Sequence, residues 1–191
     1  TATASATDAD ASSVDAEISN DNVRAVSDTV LTTGDTLALD ADASSTQTAS
    51  ASNVGDIGGT DQNAEALVGE SDYVMGIMDS TISSGGDSSQ LTASATLVGT
   101  ATADNMSGAS EARAGIESSV SGIESSTVTV GGDASNISFQ GQSTQTATAS
   151  SVEDSATAEV GYDAYGVFGS YSSDVTVNGS VVNADGSLGT M

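Results

Sequence analysis

The 191 residues contain no cysteine, proline, histidine, tryptophan or lysine. Without cysteine there is no disulfide and no thiolate metal site, and without histidine the commonest acid/base catalyst is missing. Basic charge is nearly absent as well: Arg24 and Arg113 stand against 27 carboxylates, for a formal net charge of −25. Two guanidinium groups cannot neutralise a phosphate backbone, so nucleic acid is excluded as a partner. The same charge repels anionic membranes, and no apolar run reaches the roughly 18 residues of a spanning helix, so membrane insertion is not expected. There is no secretory signal peptide, and a start at Thr1 without an initiator methionine reads as processing or excision from a longer chain.

Large apolar residues are scarce. Val, Ile, Leu and Phe together number 34 of 191, a level that, combined with high net charge, reads as disorder on composition alone. A repeat argues for order. The pattern Thr-Ala-[Ser/Thr]-Ala-[Ser/Asp] occurs at Thr1-Ala2-Thr3-Ala4-Ser5, Thr48-Ala49-Ser50-Ala51-Ser52, Thr100-Ala101-Thr102-Ala103-Asp104 and Thr146-Ala147-Thr148-Ala149-Ser150. Successive copies start 47, 52 and 46 residues apart, which divides the chain without remainder into repeats 1–47, 48–99, 100–145 and 146–191. A second landmark keeps the register at Gly34-Asp35, Gly86-Asp87, Gly132-Asp133 and Asn178-Gly179. A third lies at Val23-Arg24-Ala25-Val26, Val74-Met75-Gly76-Ile77, Val120-Ser121-Gly122-Ile123 and Tyr165-Gly166-Val167-Phe168.

Within each repeat the strong segments are short, rich in Val and Thr, and bounded by Gly, Asp, Asn and Ser, the signature of strands and turns. No apolar face recurs at helical spacing, and the Gly and β-branched content penalises helix. A unit with so few large apolar residues cannot bury a core alone and has to stack on its neighbours. The expected fold is therefore all-β: a β-solenoid (β-helix) of four repeats of 46–52 residues. Each repeat would hold about five short strands in two coils, giving about eight coils and a rod of about 40 Å at 4.8 Å per coil. Ala, Val, Ile and Thr would fill the interior, with Tyr73, Phe139, Tyr162, Tyr165, Phe168 and Tyr171 as large plugs. The extra length of the second repeat reads as a loop outside the coil.

Neither end carries an atypical capping repeat, so the ends are expected to be open sheet edges that join head to tail. Thr1, Ala2, Thr3, Ala4 and Ser5 at one end, with Val181, Leu188 and Met191 at the other, are the candidate polymer interface. The partner is the chain itself, as a homopolymer or as covalent continuation.

No cofactor is required by these residues. Asp35, Asp87 and Asp133 would stack near one edge and are the candidate ligands for Ca²⁺, a cation held by six to eight oxygens. Turn chemistry explains an Asp after Gly without a metal and is preferred. Asn105, Asn136 and Asn178 begin Asn-x-Ser sequons, possible glycosylation sites, although unmodified surface asparagine is the simpler reading. Glu153 and Asp154 read as a solvated charged face and not as a glycosidase pair. The aromatics near Tyr162 suggest packing before a carbohydrate platform.

The run Gly122-Ile123 followed by Ser125-Ser126-Thr127-Val128-Thr129-Val130-Gly131-Gly132-Asp133, with Ala-Thr-Ala tracts after it, resembles large, acidic, Lys-poor β-solenoid repeat proteins. Those build the extracellular fibres and adhesins of marine bacteria, cyanobacteria and their phages. The resemblance implies a structural, extracellular or cell-surface role. It departs from many secreted repeat proteins in lacking intact calcium-binding nonapeptides. The expected function is a structural subunit or segment of a long extracellular filament, and no enzyme. The alternative is the shaft of a phage fibre or adhesin whose binding tip lies elsewhere.

Overall fold

The structure, a computed structural model, describes residues 1–8, 13–19, 22–54, 62–70, 73–105, 108–114, 119–152, 155–160 and 166–182. Among these residues there are strands and turns and no helix. The chain takes the same route repeatedly. A first pass comprises β1 (Ala2–Asp8), β2 (Ser13–Ser19), β3 (Asn22–Ser27) and β4 (Val30–Thr33). The second comprises β5 (Leu37–Asn53), β6 (Gln62–Glu70), β7 (Tyr73–Met78) and β8 (Thr81–Ser84). The third comprises β9 (Ser88–Asn105), β10 (Gly108–Ala114), β11 (Ser119–Glu124) and β12 (Thr127–Val130). The fourth comprises β13 (Ala134–Ser135), β14 (Ile137–Ser151), β15 (Ala156–Val160), β16 (Gly166–Tyr171) and β17 (Asp174–Val177), and β18 (Val181–Val182) returns to the first sheet.

All the pairing is parallel. The first sheet joins β1, β5 and β9, with β13 and β14 beside β9 and β18 beside β13. The other three sheets are β2-β6-β10-β15, β3-β7-β11-β16 and β4-β8-β12-β17. Thr48 pairs Thr100 and Thr100 pairs Thr146; Val74 pairs Val120; Ile82 pairs Val128. Each partner lies a whole repeat away.

That pairing corrects the expectation of two coils per repeat. One repeat makes one pass, because the alternating stretch 37–53 contains no Gly or Pro to break it and runs as a single strand of 17 residues. Such a strand is about 55 Å long at 3.3 Å per residue, whereas four stacked passes rise only about 19 Å, not about 40 Å. The extra length of the second repeat falls at 54–61, against 106–107 after β9. Most of 54–61 lies outside the described residues.

The long strands of the first sheet alternate between an inner and an outer face, with Ala inward and Thr or Ser outward over 48–52, 100–103 and 146–150, and with polar Ser45, Gln47, Asn53 and Asn105 also on the buried side. Their C-terminal halves bury Ala49, Ala51, Ala101 and Ala103 against Val14, Ile18, Ala64 and Val68 of the second sheet. Their N-terminal halves bury Leu37, Leu91 and Ala93 against Ile77 and Ile123 of the third sheet and Ile82 and Val128 of the fourth. Ala43, Ala95 and Leu97 meet Val74 and Val120 between these two regions. The alternation also sets the register of β1. Sequence alignment places Thr1 opposite Thr48, but the strand pairs Thr3 with Thr48 and Ala4 with Ala49. A slip of two residues keeps every Ala inside, so the Thr-Ala pattern does not resist it.

Two further expectations change. Most of the described large rings are not the interior plugs: Phe139 packs, partly buried, against the cluster of Ile77, Leu91 and Ile123, but Tyr73 is 37% and Tyr171 46% exposed, and the largest fully buried side chains include Met75, Ile77, Ile82, Leu91, Leu97 and Ile123. Tyr162 and Tyr165 lie outside the described residues. The reason is close packing between sheets. A Cβ on Gly76 would lie 2.6 Å from the Gly122 carbonyl oxygen, 2.9 Å from the Ala93 Cβ and 3.0 Å from the Ala41 carbonyl oxygen. The same feature corrects the third landmark. Val120 pairs Val167 and Ile123 pairs Ser170, so the fourth copy is Val167-Phe168-Gly169-Ser170, with Gly169 and not Val167 beside Gly122. A glycine recurs there because two backbones meet.

Candidate functional site

The residues that recur with a defined geometry lie at the corners. Between the third and fourth sheets each pass places one residue at positive φ: Asp28 (50°), Asp79 (45°), Ser125 (47°) and Ser172 (47°). Such a conformation costs energy for a residue with a Cβ and is least unfavourable for short polar side chains that bond locally. A hydroxyl residue follows each time: Thr29, Ser80, Ser126 and Ser173. Every one donates to the carbonyl two residues back, Thr29 to Ser27 (2.8 Å), Ser80 to Met78 (2.7 Å), Ser126 to Glu124 (2.7 Å) and Ser173 to Tyr171 (2.9 Å).

Each hydroxyl of the later passes also accepts the main-chain N–H of its counterpart one pass earlier. Thr29 N–H donates to the Ser80 Oγ (3.2 Å), Ser80 N–H to the Ser126 Oγ (3.0 Å) and Ser126 N–H to the Ser173 Oγ (3.1 Å). The N–H of the left-handed residue donates likewise, Asp28 to the Met78 carbonyl (3.2 Å), Asp79 to that of Glu124 (3.2 Å) and Ser125 to that of Tyr171 (3.1 Å). A chain that bends out of a ladder leaves main-chain groups to satisfy, and the hydroxyl column satisfies them. Ser80 and Ser126 are both 3% exposed. Ser126→Ala therefore strands a buried N–H and is expected to cost about 2 kcal/mol. Ser126→Thr, which places in the column the residue type found at Thr29, is expected to cost far less. Urea midpoints of the two variants check this, and equal losses would contradict the role of the hydroxyl.

The second corner holds the candidate calcium ligands. Gly86 N–H donates to the Asp35 carbonyl (2.9 Å), Gly132 N–H to the Gly86 carbonyl (3.0 Å) and Gly179 N–H to the Gly132 carbonyl (3.0 Å). The Asp87 Oδ1 accepts from Asp133 N–H (2.9 Å) and the Asp133 Oδ1 accepts from Ser180 N–H (2.8 Å). Asp87 and Asp133 stand in one column and bond the backbone of the following pass, as turn residues do, whereas Asp35 stands one place earlier, opposite Gly86, with Thr36 opposite Asp87. Among the described residues no group of three or more Asp or Glu side chains is arranged to hold a metal ion.

The sequon asparagines fall in three different settings. Asn105 ends β9, is 2% exposed and pairs with Asn53, itself 0% exposed, so a glycan has no room at its amide in this packing. Asn136 sits at positive φ (55°) between β13 and β14, and its amide donates to the Ser89 carbonyl (3.3 Å). Asn178 is exposed between β17 and β18. Of the candidate polymer contacts, Thr1 and the β1 residues Ala2–Ser5 lie on the first pass, and Val181 lies in β18, paired to Ala134. Leu188 and Met191, like Glu153 and Asp154, lie outside the described residues.

Much of the acidic charge is spaced along the stack. Asp40 and Asp42 of β5 accept from the hydroxyls of Thr92 and Ser94 on β9, and Asp104 accepts from Ser150 on β14. Like charges directly opposite one another would destabilise the sheet. The second sheet does not follow this rule, for Asp15 pairs Glu65. Sequence reasoning passed over Glu124, 8% exposed, whose Oε2 accepts from the hydroxyls of Ser119 (2.8 Å) and Ser121 (3.0 Å). It also passed over the hydroxyl column. Its only signal is a pair of small polar residues, Asp28-Thr29, Asp79-Ser80, Ser125-Ser126 and Ser172-Ser173, which read as ordinary turn residues.

No protein family, curated protein or solved structure matches this chain.

Proposed function

We propose that this chain is a β-solenoid of four repeats that serves as a structural segment of a long extracellular filament and performs no catalysis. One observation carries the reading: at the corner between the third and fourth sheets the same backbone and hydroxyl hydrogen bonds recur between every two successive passes. Such a stack has no intrinsic length. Its first and last passes expose parallel strands of the kind that accept a further pass. Like residues face one another along the stack, so a further pass of the same sequence type buries its Ala and Val where the preceding one does. The acidic, lysine-free surface suits a salty extracellular setting, where charge is screened within about 8 Å or less.

Salt is the lever for the test. A net charge of −25 opposes end-to-end contact, and neighbouring carboxylates such as Asp15 and Glu65 add local repulsion. Raising NaCl from about 0.05 M to about 1 M shortens the screening length from above 10 Å to about 3 Å. The purified chain is expected to pass from dispersed particles to filaments over that range, with a meridional reflection near 4.8 Å. Electron micrographs and fibre diffraction read both. A monodisperse monomer at high concentration and high salt would defeat the proposal.

A further inference from the structure

We propose that the edge formed by Ser172–Val177 takes the edge formed by Ser27–Gly34 of a second copy of this chain, in parallel and with one polarity only. The inference rests on the filament reading and specifies its contact. On β17, Asp174 N–H donates to the Ser126 carbonyl (2.9 Å) and Asn178 N–H to the Val130 carbonyl (2.9 Å). In a parallel ladder successive residues bond to opposite sides, so Ser173, Val175 and Val177 direct their main-chain groups away from the third pass. On β4, Thr81 N–H donates to the Thr29 carbonyl (2.8 Å) and Gly85 N–H to the Thr33 carbonyl (2.9 Å). Val30 and Thr32 therefore direct theirs away from the second pass. Among the described residues β17 pairs β12 alone and β4 pairs β8 alone.

The corner column makes these two edges unlike and complementary. Within the stack the N–H of Thr29, Ser80 and Ser126 each meets the hydroxyl of the next pass. Ser173 N–H stands at one end of that series as a donor, and the Thr29 Oγ1 stands at the other as an acceptor. Ser172 N–H and the Ser27 carbonyl match in the same way, repeating the bond from Asp28 N–H to the Met78 carbonyl. A second copy set down on β17 makes the four bonds already repeated inside: Ser172 N–H to the Ser27 carbonyl, Ser173 N–H to the Thr29 Oγ1, Val30 N–H to the Ser173 carbonyl and Gly34 N–H to the Val177 carbonyl. Two Ser173 ends brought together would oppose donor to donor.

Apolar burial points the same way. Val74 and Val120 are 0% exposed, but Val167, the next member of their column, is 44% exposed. A further pass covers it. The carboxylate column does not continue across this contact, because Ser180 stands where Asp133 and Asp87 stand in earlier passes. The corner therefore sets the register.

The test uses two proline variants. Val175→Pro removes a main-chain N–H on the outer side of β17, and Val30→Pro removes one on the outer side of β4, positions at which an edge strand tolerates proline. At high salt each variant alone is expected to stay monomeric by sedimentation while retaining the β-rich circular dichroism of the parent. Mixed in equal amounts they are expected to form a dimer containing one of each, joined through the two unmodified edges. Dimers of Val30→Pro alone would mean that like edges meet, and filaments of either variant alone would mean that these edges are not the contact. Both results overturn the polarity while leaving the filament reading intact. Failure of the unmodified chain to assemble overturns both. If a proline variant does not fold, Thr29→Val serves instead, keeping the shape and losing the acceptor. It is expected to raise the critical concentration of filaments about two- to tenfold, and an unchanged critical concentration counts against the contact.

Discussion

Gly122→Ala is expected to lower the melting midpoint by about 6–12 °C, the consequence of a loss of about 3 kcal/mol in a chain of this size. The added methyl group has nowhere to go. It would lie against the Gln140 nitrogen, 2.7 Å from the Gly169 carbonyl oxygen and 2.9 Å from the Ala93 carbonyl oxygen. All three obstacles are main-chain atoms tied into ladders, on the long strands in front and on the next pass of the same sheet. None can rotate away as a side chain would. Gly34→Ala is the matched control, since a Cβ there meets nothing within 4 Å. It is expected to move the midpoint by no more than about 2 °C, upward if anything, because it restricts the unfolded chain. Equal effects at the two positions would show that the close approach of the third sheet to the first does not limit stability.

Leu91→Ala is expected to cost about 3–4 kcal/mol in chemical denaturation, toward the upper part of the range for truncating a buried leucine. Leu91 is 0% exposed and lies between Leu39 and Ile137 in the ladder, with Ile77 and Ile123 packed in the same cluster. In a core with many alanines each large side chain carries an unusual share of the burial. The cavity would also stay open, because the flanking strands are held at ladder spacing and cannot collapse inward. Thr144→Ala, on the exposed outward side of β14, is expected to change stability by less than about 0.5 kcal/mol. A loss below about 1 kcal/mol for Leu91→Ala would mean that the long strands shift to refill the space.

Several features of this arrangement were legible in the residues alone. Alternation of Ala with Thr or Ser marks strands with one buried face, and it holds over 48–52 of β5, 100–103 of β9 and 146–150 of β14. The Gly-Asp landmark marks a corner, where Asp87 and Asp133 cap the backbone of the following pass. Other features were not legible. The Thr-Ala tracts read equally well in registers two residues apart, and the structure pairs Ala4 with Ala49 where the sequence pattern alone pairs Ala2 with Ala49. Phe168 and Tyr171, which stack with centroids 4.9 Å apart, read as interior residues, although Tyr171 is 46% exposed. Glu124 carries no signal in the repeat pattern, and its burial beneath the hydroxyls of Ser119 and Ser121 depends on the fold of β11.

The sequence by itself determined an all-β chain with a long period, one buried face per strand, and no cysteine or histidine to supply thiol or imidazole chemistry. These follow from local rules: side chains alternate with a period of two, and an absent residue type supplies no chemistry. Only the tertiary structure decided that one repeat makes one pass, that Gly76, Gly122 and Gly169 lie where two backbones meet, and that the hydroxyls from Thr29 to Ser173 form a column with a donor end and an acceptor end. Each of these depends on atoms about fifty residues apart in the chain. Local patterns tolerate several such pairings, and close packing between the sheets admits one.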